Sequence, residues 1–133
     1  MDNGNCLNCK ITVKSEGNGW REEVKSGGFI TFYKDGFSAV YEIDGDRAEF
    51  KYSDGKCRQK RSGDQNIFIE FKEGVKTALE ISSLGLSGKY EIYTERLKYI
   101  IGKGGVKVSL NYNSGEEERI CLTFCAVLTD RRK

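Results

Sequence analysis

The chain has 133 residues, with 22 lysines and arginines against 20 aspartates and glutamates, no histidine and no proline. That length fits one domain, 1–133, and the near balance of charge, with a pI of 8.2, argues against a dedicated nucleic-acid binder, whose domain usually lies above a pI of about 9. Lack of histidine removes the side chain that most often serves as general base or metal ligand near neutral pH.

No apolar run reaches the length of a membrane span, and Met1-Asp2-Asn3-Gly4-Asn5 lacks the basic-then-apolar pattern of a signal peptide. The expected compartment is the cytosol, where five cysteines stay reduced. Residues 1–5 and 129–133 are expected to fray.

Some twelve short alternating stretches follow, with glycine about every ten positions. Ile11 and Val13 mark the first. Phe29, Thr31 and Tyr33 read as the apolar face of the next, then Phe37, Ala39, Tyr41 and Ile43, then Ala48, Phe50 and Tyr52. Lys56, Arg58 and Lys60 share one face of a strand, with Arg61 beyond. Ile67, Ile69 and Phe71 resume the apolar pattern, as do Leu79 with Ile81, Tyr90 with Ile92, and Leu97 with Tyr99 and Ile101. The cleanest period is Val106, Val108, Leu110 and Tyr112. The last strand sets Ile120, Leu122, Phe124, Ala126 and Leu128 against Cys121, Thr123, Cys125 and Val127.

Between these stand Gly17-Asn18-Gly19, Asp35-Gly36, Asp44-Gly45, Asp54-Gly55, Gly63-Asp64, Gly74 and Asn113-Ser114-Gly115. Asp-Gly between alternating stretches signals a hairpin, because a type I′ turn matches the strand twist. Ser82 to Ser87 is the one place for a short helix or irregular loop. A meander with one polar face closes most economically into a single antiparallel up-and-down barrel of about 8–10 strands, which leaves no open edge.

Arg61-Ser62-Gly63, Ile69-Glu70-Phe71, Gly85, Tyr90-Glu91-Ile92-Tyr93-Thr94 and Gly104-Gly105-Val106-Lys107-Val108-Ser109-Leu110-Asn111-Tyr112 form a progression. It resembles that of the YwiB-like bacterial proteins, over roughly 58–128. Ser83-Leu84 stands where that family commonly has tyrosine and proline. The resemblance implies a calycin-type, lipocalin-like barrel and carries no catalytic residue, the family being of unknown function. A small apolar ligand in the lumen is an analogy at the level of fold.

Ile100-Ile101-Gly102-Lys103-Gly104-Gly105 is similar to the G-x-x-G loop with which KH domains grip single-stranded nucleic acid. That loop joins helices, whereas strand alternation flanks this one, so a glycine-rich hairpin turn accounts for it. It also lacks the second half of a P-loop. Lys56, Arg58 and Lys60 read as a solvated outer face, or as an anion-selecting stripe should they line the barrel mouth. Cys6-x-x-Cys9 and Cys121-x-x-x-Cys125 would suit zinc only if four thiolates met, yet residues three apart on a strand face opposite ways. Inert thiols are expected, with no metal and no cofactor.

For catalysis, Cys57 or Ser109 would need a base other than histidine, and spacing singles out no pair among Glu22, Glu23, Glu70, Glu80 and Glu91. Glu116 to Glu118 reads as a solvated loop. The expected protein is therefore non-catalytic, a monomer or homodimer that binds a small, partly apolar molecule in the barrel mouth. Tyr41, Tyr52, Tyr90 and Tyr112 are the expected contacts, with Lys56, Arg58 and Lys60 selecting an anionic head group. The rival is a surface module that meets nucleic acid or protein through the basic strand of Lys56, Arg58 and Lys60 and the Gly102–Gly105 loop, with Arg58 and Lys103 on one exposed face.

Overall fold

Ten antiparallel strands close on themselves: β1 (Cys6–Gly17), β2 (Trp20–Tyr33), β3 (Gly36–Ile43), β4 (Asp46–Ser53), β5 (Lys56–Ser62), β6 (Asn66–Lys72), β7 (Lys76–Ser83), β8 (Leu86–Gly102), β9 (Gly105–Asn113) and β10 (Arg119–Leu128). The computed structural model describes residues 6–83, 85–113 and 119–129, with the backbone alone at Leu86. Each strand pairs with its neighbours in sequence, and β1 pairs with β10 to complete the ring. The up-and-down barrel expected from the meander is the observed fold. No helix occurs among the described residues, so none is long and apolar enough to cross a membrane. Residues 1–5 and 130–133, Leu84, the Ser114-Gly115 part of the last turn and the Glu116–Glu118 run lie outside the described residues.

The turns follow their chemistry. Asp44-Gly45 and Asp54-Gly55 carry paired positive φ values of 50° and 86°, and 52° and 83°, which is the type I′ geometry that lets two strands twist together. Gly102 pairs with Gly105 across a tight β8–β9 turn, so Gly102-Lys103-Gly104-Gly105 is a hairpin, not a helix-flanked clamp. A side chain at Gly105 could not fit, because its Cβ would lie 2.0 Å from the Ala126 carbonyl oxygen. The segment expected to hold a helix or loop is instead another hairpin, with β7 running to Ser83 and β8 starting at Leu86.

Two expectations about strands need correction. The ten strands fall within the expected 8–10, but Tyr90–Ile92 and Leu97–Ile101, read as two stretches, belong to one 17-residue β8. Its first half pairs with β7 and its second with β9, and the register shifts between Thr94 and Arg96. That bulge moves the inward set from Ile92 and Thr94 to Leu97, as one inserted residue must. In β2 the inward face is Ile30 and Phe32; Phe29 and Tyr33 are half exposed on the outside. The run Phe29-Ile30-Thr31-Phe32-Tyr33 is apolar on both faces, so alternation alone could not choose. Pairing of Ile30 with Ala39 and of Phe32 with Phe37 makes the choice.

The lumen is filled at its middle. Phe50 and Phe124 stack with centroids 4.2 Å apart and planes 3° from parallel, and Phe37 lies 6.2 and 5.9 Å from the two. Ile11, Ile92, Val108 and Cys57 pack around them, all fully buried. Side chains of a small barrel commonly fill it in this way.

Candidate functional site

Parity along β5 decides what lies inside. Cys57 is buried, so Gln59 and Arg61 share its inward face, and Lys56, Arg58 and Lys60 point out from the wall. The three cations do share one face, as their spacing predicts, but it is not the face of the tyrosines. Lys56 Nζ lies 3.1 Å from Glu70 Oε2 on β6. Arg58 and Lys60 are exposed.

At the barrel end that carries the β1–β2, β3–β4 and β5–β6 turns, the near end, a cavity of about 270 Å³ remains. Its apolar wall comes from Val13, Val24, Ile43, Ile67 and Leu122, and its polar groups from Ser15, Glu22, Gln59, Arg61 and Tyr112, with Trp20 at the rim. Gln59 Nε2 donates to Tyr41 Oη at 3.4 Å, and the Tyr41 ring leans on Phe124 at 5.9 Å. Tyr41 thus links Gln59, which lines the cavity, to the phenylalanine plug. Burial pushes its hydroxyl pKa up, partly offset by Gln59. Tyr112 reaches the cavity from β9, its ring 5.1 Å from Phe71.

Arg61 is held in place by a carboxylate. Its Nε donates to Asp46 Oδ2 at 2.8 Å, and the Asp64 amide donates to Asp46 Oδ1 at 3.1 Å. Together, the Arg61 bond first, these keep the Asp46 carboxyl below the usual carboxylate range. Gly63 completes the arrangement: a Cβ there would sit 2.0 Å from Oδ1. Arg61-x-Gly63 is therefore a clamp on the β3–β4 turn, and it sets the Arg61 stem into the cavity wall.

The other two tyrosines lie elsewhere. Tyr52 faces the far end, buried beneath Tyr99 with ring centroids 4.5 Å apart. Burial, then its hydrogen bond with Tyr99, pushes its pKa up to about 12. A second concavity of about 560 Å³ opens there between Tyr33, Tyr52, Tyr99 and Ile101. Tyr90 is 55% exposed and covers Gly88 two residues away on its own strand. Of the four expected contacts, only Tyr112 lines the near-end cavity, and Tyr41 lies behind its wall, bonded to Gln59.

The thiols divide by parity as well. Cys6 is exposed and Cys9 buried, so the C-x-x-C pair splits across the sheet. Cys121 and Cys125 are half-buried on the outer face of β10. No cluster of three metal-ligating groups exists among the described residues. Burial pushes the Cys57 thiol up to about 12 and, with Cys6 as a lesser cause, Cys9 up to about 11. A thiol held neutral in this way is a poor nucleophile. Ser109, the other nucleophile considered, lies on the outer face of β9 between Lys98 and Thr123. Glu23, Glu70 and Glu91 each face a lysine, at 4.0, 3.1 and 4.0 Å.

Ser15, Trp20, Gln59 and Arg61 escape a reading based on apolar alternation. Gln59 and Arg61 alternate with Cys57, the one apolar residue of β5, which is too weak a signal to show which face is inside. Trp20 and Glu22 lie in phase with Ile30, and carrying that phase back along β2 would have found them.

No family model matches the chain, and no curated protein is similar to it. Among solved structures, the crystal structure of the ywiB protein from Bacillus subtilis matches with a TM-score of 0.83, over 94% of each chain, at 16% identity. The fold is that of YwiB. The residue resemblance covers roughly 58–128; the structural likeness to YwiB takes in the N-terminal hairpins too. At this identity the likeness to YwiB carries architecture and no activity.

Proposed function

We propose that the barrel is a non-catalytic binding protein that takes a small, partly apolar molecule into the near-end cavity. The observation that carries this reading is the hollow itself: the lumen is packed at its middle but leaves about 270 Å³ at one end. That volume is just below the usual range of about 300–1,000 Å³ for ligand pockets, which favours a small ligand. The wall pairs aliphatic side chains with a few convergent polar groups, the pattern that binds and orients a mixed ligand. Gln59, Ser15 and Tyr112 supply hydrogen-bonding atoms, and the Arg61–Asp46 pair supplies a charge that is already matched. Lys56, Arg58 and Lys60, whose side chains lie on the outer face of β5, do not select an anionic head group in this cavity. Inert interior thiols support a binding role over nucleophilic chemistry, and a reducing, cytosolic setting suits five cysteines that share no partner.

Two readouts test the proposal. Native mass spectrometry of gently purified protein, compared with the denatured sample, should show an organic mass lost on unfolding. Trp20, the single tryptophan, should transfer energy saturably to added anilinonaphthalene sulfonate. Val24→Phe, which fills the cavity from β2, should abolish that transfer while keeping the thermal transition. No extra mass together with no saturable transfer would overturn the reading.

A further inference from the structure

The outer wall of β4, β5 and β6 breaks a rule of sheet stability. Lys51 stands directly opposite Arg58, and in the next row Lys56 stands directly opposite Lys72. Like charges placed opposite each other destabilise a sheet, and here two such pairs sit side by side on three adjacent strands. Only one of the four cations has an ion pair, Lys56 with Glu70 at 3.1 Å; Glu70 stands opposite Arg58 in the register but turns its carboxylate to Lys56. Lys51, Arg58 and Lys72 have no carboxylate within ion-pair distance among the described residues. The row on the other side of Lys51–Arg58 shows the ordinary solution, with Glu49 opposite Lys60. Glu49 is itself steadied by the Ser38 hydroxyl, which donates at 3.1 Å.

The crowded cations are also concave. Lys51, Lys56, Arg58 and Lys72, with Ser53 and Asp54, enclose a cleft of about 330 Å³. A fold has no use for such a cluster, and conflicts of this kind gather at functional sites, where a bound partner relieves them. Arg58 offers a planar fork suited to two oxygens at once, and the lysines offer compact charges on either side. We propose that this cleft binds a phosphate-bearing small molecule, with Lys51, Arg58 and Lys72 as the cationic contacts and the Ser53 hydroxyl as a further donor. Three uncommitted cations match a group of several negative charges, such as a diphosphate, better than a single carboxylate. The site lies on the outside of the wall and does not rest on the near-end cavity.

Pyrophosphate is the probe, added to the full chain at low ionic strength and followed by calorimetry and thermal melting. At tenfold its Kd, it should raise Tm by about 4–6 °C, beyond sodium chloride at matched ionic strength. Lys51→Gln and Arg58→Gln should each weaken binding about tenfold or more, since each removes a charge-assisted contact. Without pyrophosphate, both variants should melt no lower than the parent, because repulsion is relieved. Lys98→Gln with Lys107→Gln lowers the positive charge elsewhere on the wall and should leave the affinity unchanged. Any of three results overturns the proposal: an effect equalled by chloride, an equal loss in the Lys98/Lys107 control, or variants that bind pyrophosphate as well as the parent.

Discussion

Asp46 is the residue on which the near end turns. Its carboxylate receives the Arg61 guanidinium and the Asp64 amide and leaves no room for a side chain at Gly63. Its folded pKa lies below the unfolded one. The stabilisation is therefore complete above about pH 4 and fades as pH falls through the folded value. Asp46→Asn should lower Tm at pH 7, and its gap from the parent should close as melts are taken below about pH 4. A gap that stays constant with pH would mean that shape, not charge, holds the clamp. Tyr52 titrates at the other extreme. Alkaline difference absorbance should show a hydroxyl ionising near pH 12, besides that of Tyr41, which burial also raises. Tyr52→Phe should remove the step near pH 12 and leave that of Tyr41.

β8 shows how an element can be read correctly in pieces and wrongly as a whole. Both of its apolar stretches are visible in the sequence, and so is the slip in phase between Ile92 and Leu97. What local pattern cannot show is that one strand passes from β7 to β9 without a turn, because the switch depends on partners 20 residues or so away in either direction. Glu95 marks the slip, with Oε1 2.9 Å from Arg119 Nε and Oε2 accepting from Asn113 Nδ2 at 3.1 Å. Deleting Glu95 leaves Leu97 two positions after Thr94, so Leu97, Tyr99 and Ile101 should keep the inward face by plain alternation and the melt should stay cooperative. Glu95→Ala keeps the bulge and should cost about 1 kcal/mol or less, as a half-exposed ion pair does. Loss of the cooperative melt on deletion alone would show that the bulge itself is needed to hold β8 between β7 and β9.

At the scale of the whole barrel, stability rests on the aromatic plug and on closure of β1 against β10. Phe124→Ala removes the ring that stacks on Phe50 and touches Phe37 and Tyr41, and should cost about 3–5 kcal/mol in chemical denaturation. A much smaller cost would mean that neighbouring rings collapse into the space. Thiol labelling tests closure directly. Cys6 should react at once, while Cys9 and Cys57 should wait for global unfolding, since both lie inside the closed wall.

By itself the sequence determined that the protein is all-β, where its hairpins turn and which residues alternate, because alternation and Asp-Gly turns act over a few neighbours. Tyr41 and Tyr112 were legible for the same reason: each continues an apolar face of its own strand. Tertiary structure alone decided which face of β2 and β5 is inside, since neither strand is apolar on one side only. It placed Lys56, Arg58 and Lys60 on the outer wall and brought Lys51 and Lys72 beside them. It also hollowed one end of the lumen while filling the middle. Those outcomes depend on the volumes and charges of side chains from strands far apart in the chain, which meet only when the ring closes.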